Sequence, residues 1–173
     1  MSTHEILTSS VPGYVGRPRC DFEHRCFTVV AGGEVFGLPV DCVQTIFEIE
    51  AVTPVPLGPR EILGLVNLRG KIAAAVSLRR RLQMQDPEPH KSALAIGMEH
   101  RGESFALVVD EVGDVISLDP SAQIPMLPHL DLQRAKLTQA VYRLEKGILP
   151  ILEMNFVFAF SKRVGNRVVD KPC

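Results

Sequence analysis

The segment Phe36-Gly-Leu-Pro-Val-Asp-Cys-Val43 recurs later as Phe105-Ala-Leu-Val-Val-Asp-Glu-Val112, so that Phe36 matches Phe105, Leu38 Leu107, Val40 Val109, Asp41 Asp110 and Val43 Val112. This self-similarity restricts the chain to folds made of two related units, each burying the same apolar pattern against an equivalent partner. A fainter echo sets Ile72–Leu78 against Ile148–Met154, each an apolar run entering what reads as a short helix. Two copies are too few for a solenoid, and a closed pair of small barrels is the expected architecture. A chain of 173 residues with 46% apolar content can fill such a pair, as one domain or two tightly fused small ones.

The apolar runs are short and broken by turn residues, which favours strands. Cys26–Val30 and Glu34–Leu38 read as a pair around Gly32-Gly33, and Ala93–Met98 and Ser104–Val109 as a hairpin around Glu99–Gly102. Glu111–Leu118 is a further strand; Leu137–Leu144 and Ile148–Leu152 pair across Glu145–Gly147. Val40–Ile46 fits either a short helix or a strand. Pro54, Pro56 and Pro59 make 52–59 an extended, mostly unpaired connector, repeated by Pro120, Pro125 and Pro128. Asn155–Phe160 suggests a closing helical turn. Ser77 is placed to cap a helical turn with Leu78 and Leu82 on one side, and Arg79-Arg80-Arg81 reads as its solvated face. Phe36 and Phe105 are expected in the core. Residues 1–24 and 165–173 read as tails, 25–164 as the ordered domain, and 83–91, with Pro87 and Pro89, as a linker between its halves.

Within the first half, Ile62-Leu-Gly-Leu-Val-Asn-Leu-Arg-Gly-Lys-Ile-Ala-Ala-Ala-Val-Ser-Leu78 gives two apolar arms around one polar corner. Gly70 supplies the positive φ a tight hairpin requires. Packing needs the arms but makes no demand for Asn67-Leu68-Arg69-Gly70, which marks Arg69 as a functional candidate; a solvated turn cation is the plainer alternative.

Enzymatic chemistry finds no constellation. There is no Gly-x-Ser-x-Gly elbow, Walker loop or His-Glu-x-x-His helix, and the glycines at 32, 33 and 37 lack a dinucleotide-binding register. His4, His24, His90, His100 and His129 fall in tails, turns and linkers, and Asp41 and Asp110 read as local hydrogen-bonding groups rather than paired acids. The four cysteines have no CxxC repeat, and Cys20, His24 and Cys26 match no common zinc spacing, so reduced thiols and neither metal nor cofactor are expected. A net charge of -1 and 6% aromatic residues argue against nucleic acid. No window is long and apolar enough to insert in a membrane, and a cytoplasmic location is expected.

Over about 25–164 the chain resembles the CheW-like chemotaxis coupling proteins. The likeness rests on Phe36-Gly-Leu-Pro-Val-Asp-Cys-Val-Gln44, Val52-Thr-Pro-Val-Pro56, Ile62-Leu-Gly-Leu-Val-Asn-Leu-Arg-Gly70, Val76-Ser-Leu-Arg79 and Leu107-Val-Val-Asp-Glu-Val-Gly-Asp-Val115. It implies an all-β fold with short helices: two intertwined five-stranded SH3-like β-barrels sharing a hydrophobic core. It also implies a non-enzymatic scaffold that links the cytoplasmic tips of methyl-accepting chemoreceptors to the regulatory domain of a CheA-type histidine kinase, recruited to membrane-associated receptor arrays. Carried over by motif, the receptor groove between the barrels would be lined by Val43, Gly64, Arg69, Ala106 and Val115, with Asn67 and Leu68 setting the corner.

Two departures from the family pattern each remove a carboxylate: the usual Val-Gln-Glu is Val43-Gln44-Thr45, and the usual Val-Asp-Leu-Arg is Val76-Ser77-Leu78-Arg79. If both sites face a recognition surface, Thr45 and Ser77 tune partner choice. The alternative is a small-barrel module that binds protein or nucleic acid outside chemotaxis.

Overall fold

The computed structural model describes residues 24–86 and 93–160. Local turn chemistry cuts the apolar runs into strands. Gly32-Gly33, Arg69-Gly70 and Arg101-Gly102 all have positive φ at both residues, the signature of the two-residue turn whose twist matches its flanking strands. The strands are β1 (Arg25–Ala31), β2 (Glu34–Pro39), β3 (Val43–Ile49), β4 (Ile62–Leu68), β5 (Lys71–Ser77), β6 (Ala93–His100), β7 (Glu103–Val109), β8 (Glu111–Ser117), β9 (Gln123–Ile124), β10 (Thr138–Leu144) and β11 (Gly147–Leu152). The α-helices are short: α1 (Leu78–Arg81), α2 (Leu132–Leu137) and α3 (Met154–Val157). The ambiguous 40–46 segment uses both conformations, a 3-10 turn at Val40–Cys42 and then β3.

Two sheets result, in the orders β8-β1-β2-β11-β10-β9 and β3-β6-β7-β5-β4. The sequence repeat reappears in their registers. The hairpin β1–β2 lies parallel to β11 through Gly37 and Ile151, and β6–β7 lies parallel to β5 through Ala106 and Ala75. Each repeat then gives a strand away. β3 leaves β2 and pairs with β6, Val43 opposite Met98, whereas β8 leaves β7 and pairs with β1, Val112 opposite Val29. This reciprocal exchange is the expected intertwining. The expected five strands per barrel hold for the second sheet only. The first has a sixth, β9, which pairs Ile124 with Val141; its counterpart is a single bridge from Thr53 to Leu65.

Because β5 and β6 share the second sheet, the linker at 83–91 separates the sequence repeats without separating the sheets. Its first residues are docked: the Met84 sulfur lies over Gly32, and Asp86 pairs with Arg80. Residues 87–92 and the tails are outside the described residues, except that His24 accepts a backbone hydrogen bond from Leu118 at 2.6 Å.

The main core fills the space between the sheets, combining Phe27, Val29, Phe36 and Leu38 of the first with Val76, Ile96, Met98, Phe105 and Leu107 of the second. Leu78, Leu82, Leu137, Met154 and Val157 cover it from the short helices. Each sheet also encloses a smaller cluster, alanine-rich around Ala73, Ala75, Ala95 and Ala106 in the second, and built on Cys26, Tyr142, Leu149 and Ile151 in the first. Cys26 is a free thiol, and burial pushes its pKa up to about 11. Cys42 is disulfide-bonded, so the expectation of reduced thiols fails there.

The three arginines after Ser77 are not a solvated face. Arg79 holds Asp110 at 2.8 Å, Arg80 holds Asp86, and Arg81 donates to the carbonyls of Phe156, Val157 and Ala159, closing the end of α3. Leu137, expected to open the strand that runs to Leu144, instead ends helix α2, which Asp131 caps by accepting from the Arg134 N–H at 2.7 Å.

Candidate functional site

Arg69 sits at the first position of the β4–β5 turn with φ 51°, a left-handed conformation that a non-glycine residue adopts at some energetic cost. The corner is locked from below. Asn67 Oδ1 accepts from the Gly70 N–H at 2.8 Å, and the Leu68 side chain points into the barrel, where it is buried. Arg69 Nη2 then donates to Thr45 Oγ1 at 2.9 Å. Since β3 and β4 stand at opposite ends of the second sheet's pairing order, this bond spans the seam where the sheet curls on itself. Gly97 on β6 makes the approach possible: a Cβ there would come within 2.7 Å of Thr45 Cγ2 and 3.0 Å of Leu68 Cδ2. A register shift in β3 between Val43 and Thr45 frees Gln44, whose Nε2 donates to Glu99 at 3.4 Å.

The other candidate residues divide by burial. Val43 is half-buried at the start of β3, opposite Met98, and Asn67 is exposed. Gly64 and Ala106 are buried, Gly64 against the Thr53 carbonyl with no room for a side chain, and Ala106 between Gly97 and Ala75 inside the barrel. Together with Leu68 they set strand positions instead of presenting side chains outward. Val115 lies on β8 in the first sheet, opposite Phe27, and is 47% exposed. The structure thus joins Thr45, Leu68 and Arg69 directly and leaves Val115 on a different sheet.

Ser77 does not belong to this surface. It is 2% exposed, accepts from the Arg80 N–H as the cap of α1, and donates to Asp86 Oδ2 at 3.2 Å. Asp86, from farther along the chain, accepts from the Ser77 hydroxyl and pairs with Arg80 beside this cap. Ser77 is therefore a packing residue, and its departure cannot act by direct contact with a partner.

Sequence reasoning missed three exposed apolar residues on the strands that meet at the corner, Ile46 on β3, Leu65 on β4 and Ile72 on β5, the last 74% exposed. The signal was present: Ile46 shares strand parity with the exposed Gln44 and Glu48, and an apolar residue at an outward position is informative. Ile72, directly opposite Asn67, borders an open depression of about 600 Å³ lined also by Lys71, Glu99, Glu103 and Phe105. Fixed cationic and amide groups beside exposed aliphatic side chains suit recognition of another protein.

The CheW-like domain family matches residues 25–161 of the chain. The chemotaxis protein CheW of Rhizobium meliloti (strain 1021) is 27% identical over 134 residues, covering 76% of this chain and 85% of that protein. Its namesake in Bacillus subtilis (strain 168) is 26% identical over 134 residues, covering 77% and 85%. Among solved structures, the scaffolding protein TtCheW from Thermoanaerobacter tengcongensis has the same fold, with a TM-score of 0.70 at 24% identity over 80% of this chain and 94% of that one.

Proposed function

The chain belongs to the CheW-like domain family, and from that membership we propose which partners its Arg69 corner and neighbouring faces meet. It is a scaffold coupling protein of chemotaxis signalling, without enzymatic activity. The partners proposed are the cytoplasmic tips of methyl-accepting chemoreceptors and the regulatory domain of a CheA-type histidine kinase, met inside the cell at membrane-associated receptor arrays. Among the described residues no helix is long and apolar enough to cross a membrane, which accords with recruitment by partners. The observation that carries the receptor assignment is the Arg69 corner: a guanidinium held across the barrel seam by the Thr45 hydroxyl, beside exposed aliphatic side chains. Such a surface fits one face of a partner helix, the arginine meeting carboxylates or carbonyls and the aliphatic groups meeting its apolar stripe. Val43, Asn67, Arg69 and Val115 would make the contacts, and Gly64, Leu68 and Ala106 would hold the strands that carry them.

Arg69→Glu tests this. Binding to a receptor-tip fragment should be lost while the stability change stays within about 1 kcal/mol, because an exposed charge contributes little to folding. The variant should retain kinase binding if the kinase uses a different face. Unchanged receptor binding, or a collapse in melting temperature, would return Arg69 to the role of a plain turn residue.

A further inference from the structure

Resting on the coupling reading, we infer that Thr45 is a positioning residue that aims Arg69, with its charge unneutralised, at an acidic patch on the receptor tip. Four arginines of the described residues, Arg79, Arg80, Arg81 and Arg134, each lie within ion-pair distance of a carboxylate. Arg69 instead bonds to a hydroxyl, and among the described residues it makes no ion pair. Glu99, on the neighbouring β6, accepts from Gln44. A threonine hydroxyl fixes the direction of the guanidinium through one N–H, leaves most of its five donors uncommitted and contributes no opposing charge. A carboxylate at position 45 would also orient the fork but would consume its charge. The turn below is held by Asn67 and strained at Arg69 itself, so the backbone contributes to the same aim. A pre-aimed, unpaired guanidinium is matched by a carboxylate-bearing face, and repelled by a basic one.

The test uses a soluble fragment of a chemoreceptor cytoplasmic tip from the same genome, titrated with the full chain at low and high salt. Thr45→Val, which keeps the shape and removes the hydroxyl, should weaken binding about 3- to 10-fold. Thr45→Ser should restore binding to within about twofold of the parent. Thr45→Glu should weaken binding about tenfold or more and flatten its salt dependence, as an internal ion pair replaces the one across the interface. Thr45→Val binding as tightly as the parent, or Thr45→Glu retaining the parent affinity and salt slope, overturns the inference and leaves the coupling reading standing. A parent chain that does not bind the tip overturns both. NMR of the Arg69 guanidinium nitrogens gives a readout without any partner: rotation should be slowed in the parent and Thr45→Ser and fast in Thr45→Val. Equal rotation in all three also overturns the positioning role.

Discussion

Individual residues here are governed by what a neighbour far along the chain supplies. Ser77 is the sharpest case, because its buried hydroxyl donates to Asp86 while capping α1. Ser77→Asp restores the family carboxylate but places it against Asp86, and like charges at that distance repel. The variant should lose about 1–3 kcal/mol, a loss that Asp86→Asn relieves; chemical denaturation of the two single variants and the double variant measures the coupling. His100 offers a pH handle. Burial, with Arg101 adding to it, lowers its pKa from the usual imidazole value, and its ring lies 5.6 Å from that of Phe158. The unfolded chain therefore binds the proton more readily, so stability is complete above the unfolded pKa of about 6.5 and declines as pH falls below it toward the folded value. Replacing His100 by Asn should flatten denaturation midpoints across that window. Cys26 works in the other direction: its thiol stays protonated to about pH 11 in the fold, and stability should decline above the unfolded thiol value. Below that range native Cys26 should react slowly with thiol reagents, and rapid modification of the folded chain would contradict its burial.

At the scale of elements, short helices and turns are held by side chains reaching in from other strands. Arg81 satisfies three carbonyls at the end of α3, and Asp110 receives both the Arg79 guanidinium and the Gly32 N–H at the β1–β2 turn. Arg81→Leu should cost about 2–3 kcal/mol by stranding those carbonyls, with the loss visible as faster amide exchange in α3 before the core opens. This explains which elements could be read from sequence. Hairpins at Gly32-Gly33, Arg69-Gly70 and Arg101-Gly102 were legible because turn chemistry is local. The cap at Ser77 was local too. The partners of Arg79 and Arg81 come from Asp110, between β7 and β8, and from 156–159, which no spacing rule connects to α1. Helix α2 was missed because the strand beginning at Thr138 drew Leu137 into its apolar run, although Asp131 carried the cap signal. Arg69 was legible as a candidate, but the Thr45 hydroxyl across the seam was not, since it depends on how the second sheet curls. The repeat announced two equivalent units and was silent on their exchange of β3 and β8.

The whole molecule folds around a core that neither sheet owns. Phe36 and Phe105 occupy matching places in the two repeats and both enter the central cluster. Phe36→Ala or Phe105→Ala should each cost about 3–5 kcal/mol, and calorimetry should show one transition in the parent because the sheets share their packing. Cutting between 86 and 87 divides both sheets. Neither fragment should melt cooperatively alone, while the mixture should recover the parent's circular dichroism. Independent folding of either piece would refute a shared core.

The exchange of strands also imposes an order of completion during synthesis. All five strands of the second sheet lie between Val43 and Val109, so it is fully synthesised before the last third of the chain is made. The first sheet begins with β1 and β2 yet needs β8 to β11, and β2 cannot gain its parallel neighbour until Gly147–Leu152 has emerged. Throughout that interval the apolar residues of β1 and β2 lack the strands that will flank them, which makes the nascent N-terminal hairpin the segment most exposed to chaperone capture. Chains stalled once Val109 has emerged from the ribosome but Gly147 has not should accordingly protect the second sheet from protease and leave β1 and β2 open to cleavage.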